Sequence, residues 1–175
     1  MKKDRRIKKS KTALKKSLLE LMKIKTIPHI SIKEICIKAN LNRSTFYANY
    51  HNIEELLLEI YYDIYEDMLL SLNKNNHENE LDQDIYALKN IIDYFYDHQE
   101  LLHLIFKNNQ QHLFEKHLTT FYAQKFVKDN YDYVEKYTFL YHSFGSFTLI
   151  SQWIIDQYPC SSLELAKLIY SISHV

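Results

Sequence analysis

The sequence predicts an all-α protein, with an N-terminal helix-turn-helix head and a C-terminal helical bundle. Three observations point there. The 175 residues include one glycine and two prolines, too few for the tight turns of an all-β chain, and no Asn-Gly or Asp-Gly hairpin signal occurs. Apolar residues make up 46% of the chain, enough for one core or for a small head joined to a larger body. Net charge is zero only on average: residues 1–53 hold 14 Lys/Arg against three Asp/Glu, a net of +11, and the remainder carries −11. A basic head beside an acidic, aromatic-rich body suits a head drawn to a polyanion, although a solvated basic tail would carry the same charge.

The elements follow in order. Ala13, Leu14, Ser17, Leu18, Leu21 and Met22 recur at helical spacing between lysines, which predicts a first amphipathic helix from about residue 5 to 24. "KTIPHI" ends it, because Pro28 lacks an amide donor and biases Ile27 away from helix. Ser31 with Glu34 three residues on forms a capping box for a short second helix, whose buried stripe is Ile32, Ile35, Cys36 and Ala39. Asn40 tolerates the left-handed conformation of a tight turn, and Leu41 plugs the angle between the helices. A third short helix starts at Asn42 with Phe46 and Tyr50 inward, and Asn52 caps a long fourth helix carrying Ile53, Leu56, Leu57, Ile60 and Ile64.

With Phe46 and Tyr50 inward, Arg43, Ser44, Thr45, Tyr47 and Asn49 surround the outside of a helix too short to need so many polar groups for solubility. That is the pattern of a helix-turn-helix whose second member enters the DNA major groove; an ordinary helical hairpin with a polar face is the plainer alternative.

The run "ISIKEICIKANLNRSTFYANYHNIEEL" resembles the DNA-binding head of the TetR family of bacterial transcriptional regulators, especially the subgroup whose recognition helix reads Asn-Arg-Ser-Thr-Phe-Tyr. The match covers roughly residues 5–60. It implies that Asn42, Arg43, Ser44, Thr45, Tyr47 and Asn49 meet bases or phosphates of double-stranded DNA and that Ser31 holds a backbone phosphate. Three departures stand out: Asn40 replaces the usual turn glycine, Asn49 stands where histidine is common, and Ile53 replaces a frequent phosphate-pairing lysine.

The expected domains are 1–53, the DNA-binding head, and 54–175, a helical body for dimerisation and ligand binding. "NKNNHENE" at 73–80 reads as a polar linker. Helical patterns follow at about 81–97, 99–108, 110–128, 132–157 and 161–173, the last capped by Ser161 or Ser162 after Pro159. Tyr137, Tyr141, Phe144, Thr148 and Ser151 share a broad face of the long penultimate helix, with Gly145 allowing close approach, and are the expected homodimer interface, although a helix packed only inside its own monomer is the plainer alternative. "FGSFTLISQWI" faintly resembles the same subgroup's C-terminal helices. Tyr61, Tyr65, Tyr94, Phe106 and Tyr122 are candidates for a pocket taking a small hydrophobic or cationic effector, although for any one of them a place in a packed aromatic core is the favoured reading.

No metal or cofactor is expected. His98 and His103, like His112 and His117, are spaced i, i+5, about 140° apart on a helix, where chelation wants i, i+4. With Gly145 the only glycine, no phosphate-binding loop is available, and an enzyme is not expected. Isolated Cys36 and Cys160, a charged N-terminus and the lack of a membrane-length apolar run predict a cytoplasmic protein. The expected function is a ligand-responsive homodimeric repressor on a palindromic operator. The alternative is a helical co-regulator acting through protein contacts.

Overall fold

The computed structural model describes residues 2–72, 80–127 and 132–173, and their regular structure is helical throughout. The elements are α1 (Lys2–Met22), a 3₁₀ turn at Ile27–His29, α2 (Ile32–Ala39), α3 (Arg43–Tyr47), α4 (Ile53–Leu72), α5 (Glu80–Asp97), α6 (Gln99–Lys107), α7 (Gln111–Phe126), α8 (Tyr133–Ile155) and α9 (Ser162–Ser173). Residues 73–79 of the expected linker lie outside the described residues.

The chain divides into two compact units, Met1–Asp63 and Ile64–Val175, with the boundary inside α4. In the first unit α2 packs on α1 and α3 on α2. Leu14, Leu18, Ile35, Phe46, Leu56 and Tyr61 of this unit are fully buried, as the apolar stripes of amphipathic helices are. Lys11 and Lys15 of α1 meet Glu59 of α4 at 2.8 and 2.9 Å, and Lys15 also meets Asp63 at 2.6 Å. Lys11 Nζ lies 5.3 Å from the centre of the Tyr50 ring.

In the second unit α5 packs chiefly on α9, and α7 on α8. Phe95, Leu102, Ile105, Phe114, Leu118, Phe121, Phe147, Ile150, Trp153, Ile154, Leu165 and Ile169 form its core. The starts of the last two helices are fixed by caps. Asp132 and Glu135 form a reciprocal capping box at the start of α8, and Ser161 with Glu164 does the same for α9. Trp153 Nε1 donates to the Cys160 carbonyl at 2.8 Å, tying α8 to the turn that precedes α9. Among the described residues no helix is long and apolar enough to cross a membrane, and no cluster of metal-ligating side chains occurs.

Candidate nucleic-acid interface and ligand cleft

The turn between α2 and α3 is built by local chemistry. The Ser31 side chain accepts from the Glu34 amide at 3.3 Å, and a Glu34 carboxylate oxygen accepts from the Ser31 amide and hydroxyl at 2.9 and 2.7 Å. Lys25 first, then Ser31, holds the Glu34 carboxyl at about 2, well below the usual range. Asn40 adopts φ 52° and ψ 47°, the left-handed conformation expected there, and its amide donates back to the end of α2. The chain then re-enters helix at Asn42, whose backbone is extended and whose side chain makes no capping bond.

On α3, Phe46 is fully buried and Tyr50 nearly so, with their rings 5.7 Å apart. That burial turns Arg43, Ser44 and Tyr47 outward; Tyr47 is 57% exposed. Thr45 and Asn49 are half-buried, and Asn49 Nδ2 donates to the Thr45 carbonyl at 2.7 Å, which commits one amide hydrogen of Asn49 to the helix end. Ser31 is exposed at the start of α2. The recognition residues proposed from sequence thus sit on one short helix and its two ends, with Ser31 at the start of the helix before it.

In the body, α8 carries three different faces. Phe147, Ile150, Ser151, Trp153 and Ile154 are buried. Tyr137 and Tyr141 are 63% and 72% exposed, and Phe144 and Thr148 continue that exposed stripe. Ser151, grouped with them from sequence, is only 6% exposed and lies on the buried side. Nothing lies within 4 Å of where a Cβ on Gly145 would sit, apart from its own helix backbone and chain neighbours. On α9, Leu168 and Ile172 are also exposed.

The third face of α8 borders a cleft of about 730 Å³ between α5, α8 and α9. Leu88, Ile91, Phe139, Phe147, Ile150 and Ile169 supply apolar walls, and Asp84, Glu135 and His142 are the ionisable side chains besides the tyrosines. Of the five aromatic pocket candidates, Tyr122 alone lines it. Burial raises the Tyr122 phenol above its usual range. Tyr61 and Tyr65 are fully buried, the Tyr65 hydroxyl is bonded to the Phe114 carbonyl, Tyr94 stacks on His98 with centroids 4.1 Å apart, and Phe106 is half-buried on α6.

Solved structures with this arrangement exist. A TetR transcriptional regulator from Streptococcus agalactiae superposes with a TM-score of 0.65 at 20% identity, covering 99% of this chain and 98% of that one. The fold is that of the TetR regulators. A second structure assigned to the TetR family, from Syntrophomonas wolfei, gives a TM-score of 0.68 at 15% identity over 95% of this chain and 94% of the other. The dihydroxyacetone kinase operon activator DhaS gives 0.54 at 22% identity, covering 94% of each chain. No family model matches the sequence, and no curated protein does.

Within this TetR-type fold, sequence reasoning missed the cleft. Asp84, Glu135 and His142 look like ordinary surface positions of amphipathic helices, and only the packing of both α5 and α8 on α9 brings them to one opening. The signal available was the small-residue run on α8, since Ser143 and Ser146 line the cleft.

Proposed function

We propose that the chain is a member of the TetR family: a homodimeric transcriptional repressor that binds a palindromic DNA operator and releases it when a small ligand enters the body. The observation that carries this reading is the outward set Arg43, Ser44 and Tyr47 on a helix held by a left-handed Asn40 turn, within a segment of net charge +11. Phosphate contacts by the basic head would position α3, and its outward side chains would read base edges. Asn42 and the half-buried Thr45 flank them; in this reading Ser31 holds a backbone phosphate and Asn49 meets a base or a phosphate.

Dimerisation through α8 and α9 is supported by the exposed stripe Tyr137, Tyr141, Phe144 and Thr148 together with Leu168 and Ile172. A glycine inside a helix costs about 1 kcal/mol relative to alanine, and among the described residues no other element comes within 4 Å of where a Cβ on Gly145 would sit; a second copy approaching there would explain it. Two heads would then enter successive major grooves, roughly 34 Å apart. Helix α4 runs unbroken across the boundary of the two units, so a ligand that favours a different state of the body would act on the head through it.

The test is random-site selection with the purified chain, followed by affinity measurements across a salt series. A palindromic consensus with affinity falling steeply in salt supports the reading; absence of enrichment refutes it. The second reading is a co-regulator acting through protein contacts, which would give a flat salt response and no consensus.

A further inference from the structure

We infer that the cleft between α5, α8 and α9 is a binding site for a small organic cation with an apolar body. Binding itself stands on the cleft alone; its regulatory consequence rests on the sensor role proposed above. The volume of about 730 Å³ falls within the usual range of small-molecule sites. The walls are aliphatic and aromatic, so an apolar body is what they would desolvate favourably.

Charge selects the sign. Among the described residues lining the cleft, Asp84 and Glu135 are carboxylates, and lysine and arginine are absent. Both acids are exposed. Glu135 is held in place: its Oε2 accepts from the Asp132 amide at 2.9 Å and leaves the second oxygen to other partners. The positive end of the α8 dipole is already met by Asp132 and Glu135, so it does not turn the opening cationic. The opening therefore attracts a positive centre and repels a carboxylate or phosphate.

A second, independent feature lies deeper. Tyr122 is 7% exposed, it lines the cleft, and its hydroxyl has no hydrogen-bond partner among the described residues. Its ring is fixed edge-on to Phe147 at 5.6 Å and stacked on Phe126 at 5.4 Å. The hydroxyl itself is buried, so it is the Tyr122 ring that closes the inner wall of the cleft. The occupant is thus an amphipathic cation: a positive group at the acidic rim and an apolar body against the aliphatic and aromatic walls.

Calorimetric titration of the full chain with tetraphenylphosphonium and with tetraphenylborate, ions of nearly one shape and opposite charge, tests the sign directly. The phosphonium should bind saturably, about tenfold or more tighter than the borate. Asp84→Asn should weaken it about fivefold, the loss of one partly screened charge pair. Ser146→Trp should fill the cleft and abolish binding with helix content unchanged. Equal or tighter borate binding, no saturable phosphonium binding, or a phosphonium affinity indifferent to Asp84→Asn would overturn the proposal; the exposed position of Asp84 keeps that variant informative if Ser146→Trp does not fold. Operator binding without cation binding would refute the cleft alone, whereas cation binding in a chain that never retains DNA would refute the regulator alone.

Discussion

The Tyr65 hydroxyl donates to the Phe114 carbonyl at 2.8 Å inside the body, and the Tyr65 ring packs 5.2 Å from Phe114 and 5.4 Å from Phe121. This side chain is structural: it fixes α4 to α7. Tyr65→Phe should cost about 1 kcal/mol, the net worth of one buried hydrogen bond, and Tyr65→Ala about 3–5 kcal/mol through the cavity it leaves. Denaturant unfolding reads both. Phosphonium binding by Tyr65→Phe should match the wild type, since the ring does not line the cleft.

At the head, Arg43→Ala should cost about 1–3 kcal/mol of operator affinity and relax preference at one base position, as expected for a side chain at a base edge. Tyr47→Phe should weaken all sites alike if its hydroxyl meets a phosphate. Competition binding against single-base operator variants separates the two patterns. Full affinity in a Tyr47→Ala, Thr45→Ala double variant with unchanged helix content would remove the assignment of α3.

A charge on the exposed face of α8 should break the proposed dimer. Phe144→Glu places an unpaired ion at a two-fold interface twice, at a cost of about 3–5 kcal/mol each. Sedimentation should show a monomer that no longer holds the operator. A wild-type chain that sediments as a monomer at micromolar concentration would refute the interface.

The capping box of α2 sets an acid limit on the head. The folded-state pKa of Glu34, about 2, lies below its ordinary value of 4.5, so ionised Glu34 stabilises the fold above about pH 4.5. That contribution is lost as pH falls from there toward 2. Glu34→Gln keeps the side-chain acceptor of the box but removes the ion pair with Lys25, so its thermal midpoint should sit below wild type at neutral pH and converge with it in acid. Parallel melting curves at pH 7 and pH 2.5 check the sign.

The head was legible in the sequence because its determinants are local. A capping box needs only Ser31 and Glu34, a left-handed turn needs only a residue such as Asn40 that tolerates positive φ, and burial of Phe46 and Tyr50 follows from helical spacing. These elements, and the positions of the helices in the body, were fixed by residues within a turn or two of one another. What only tertiary structure decided is which side of each body helix meets another. The aromatic side chains of the body have no periodicity that separates core from pocket, and α8 is apolar on more than one face. Packing of α7 against α8 buried Ser151 rather than exposing it beside Phe144, and the packing of α5 on α9 and of α8 on α7 and α9 gathered Asp84, Glu135 and Tyr122, far apart in the chain, around one cleft. Such groupings depend on contacts between distant segments, and these carry no short-range pattern for a sequence to display.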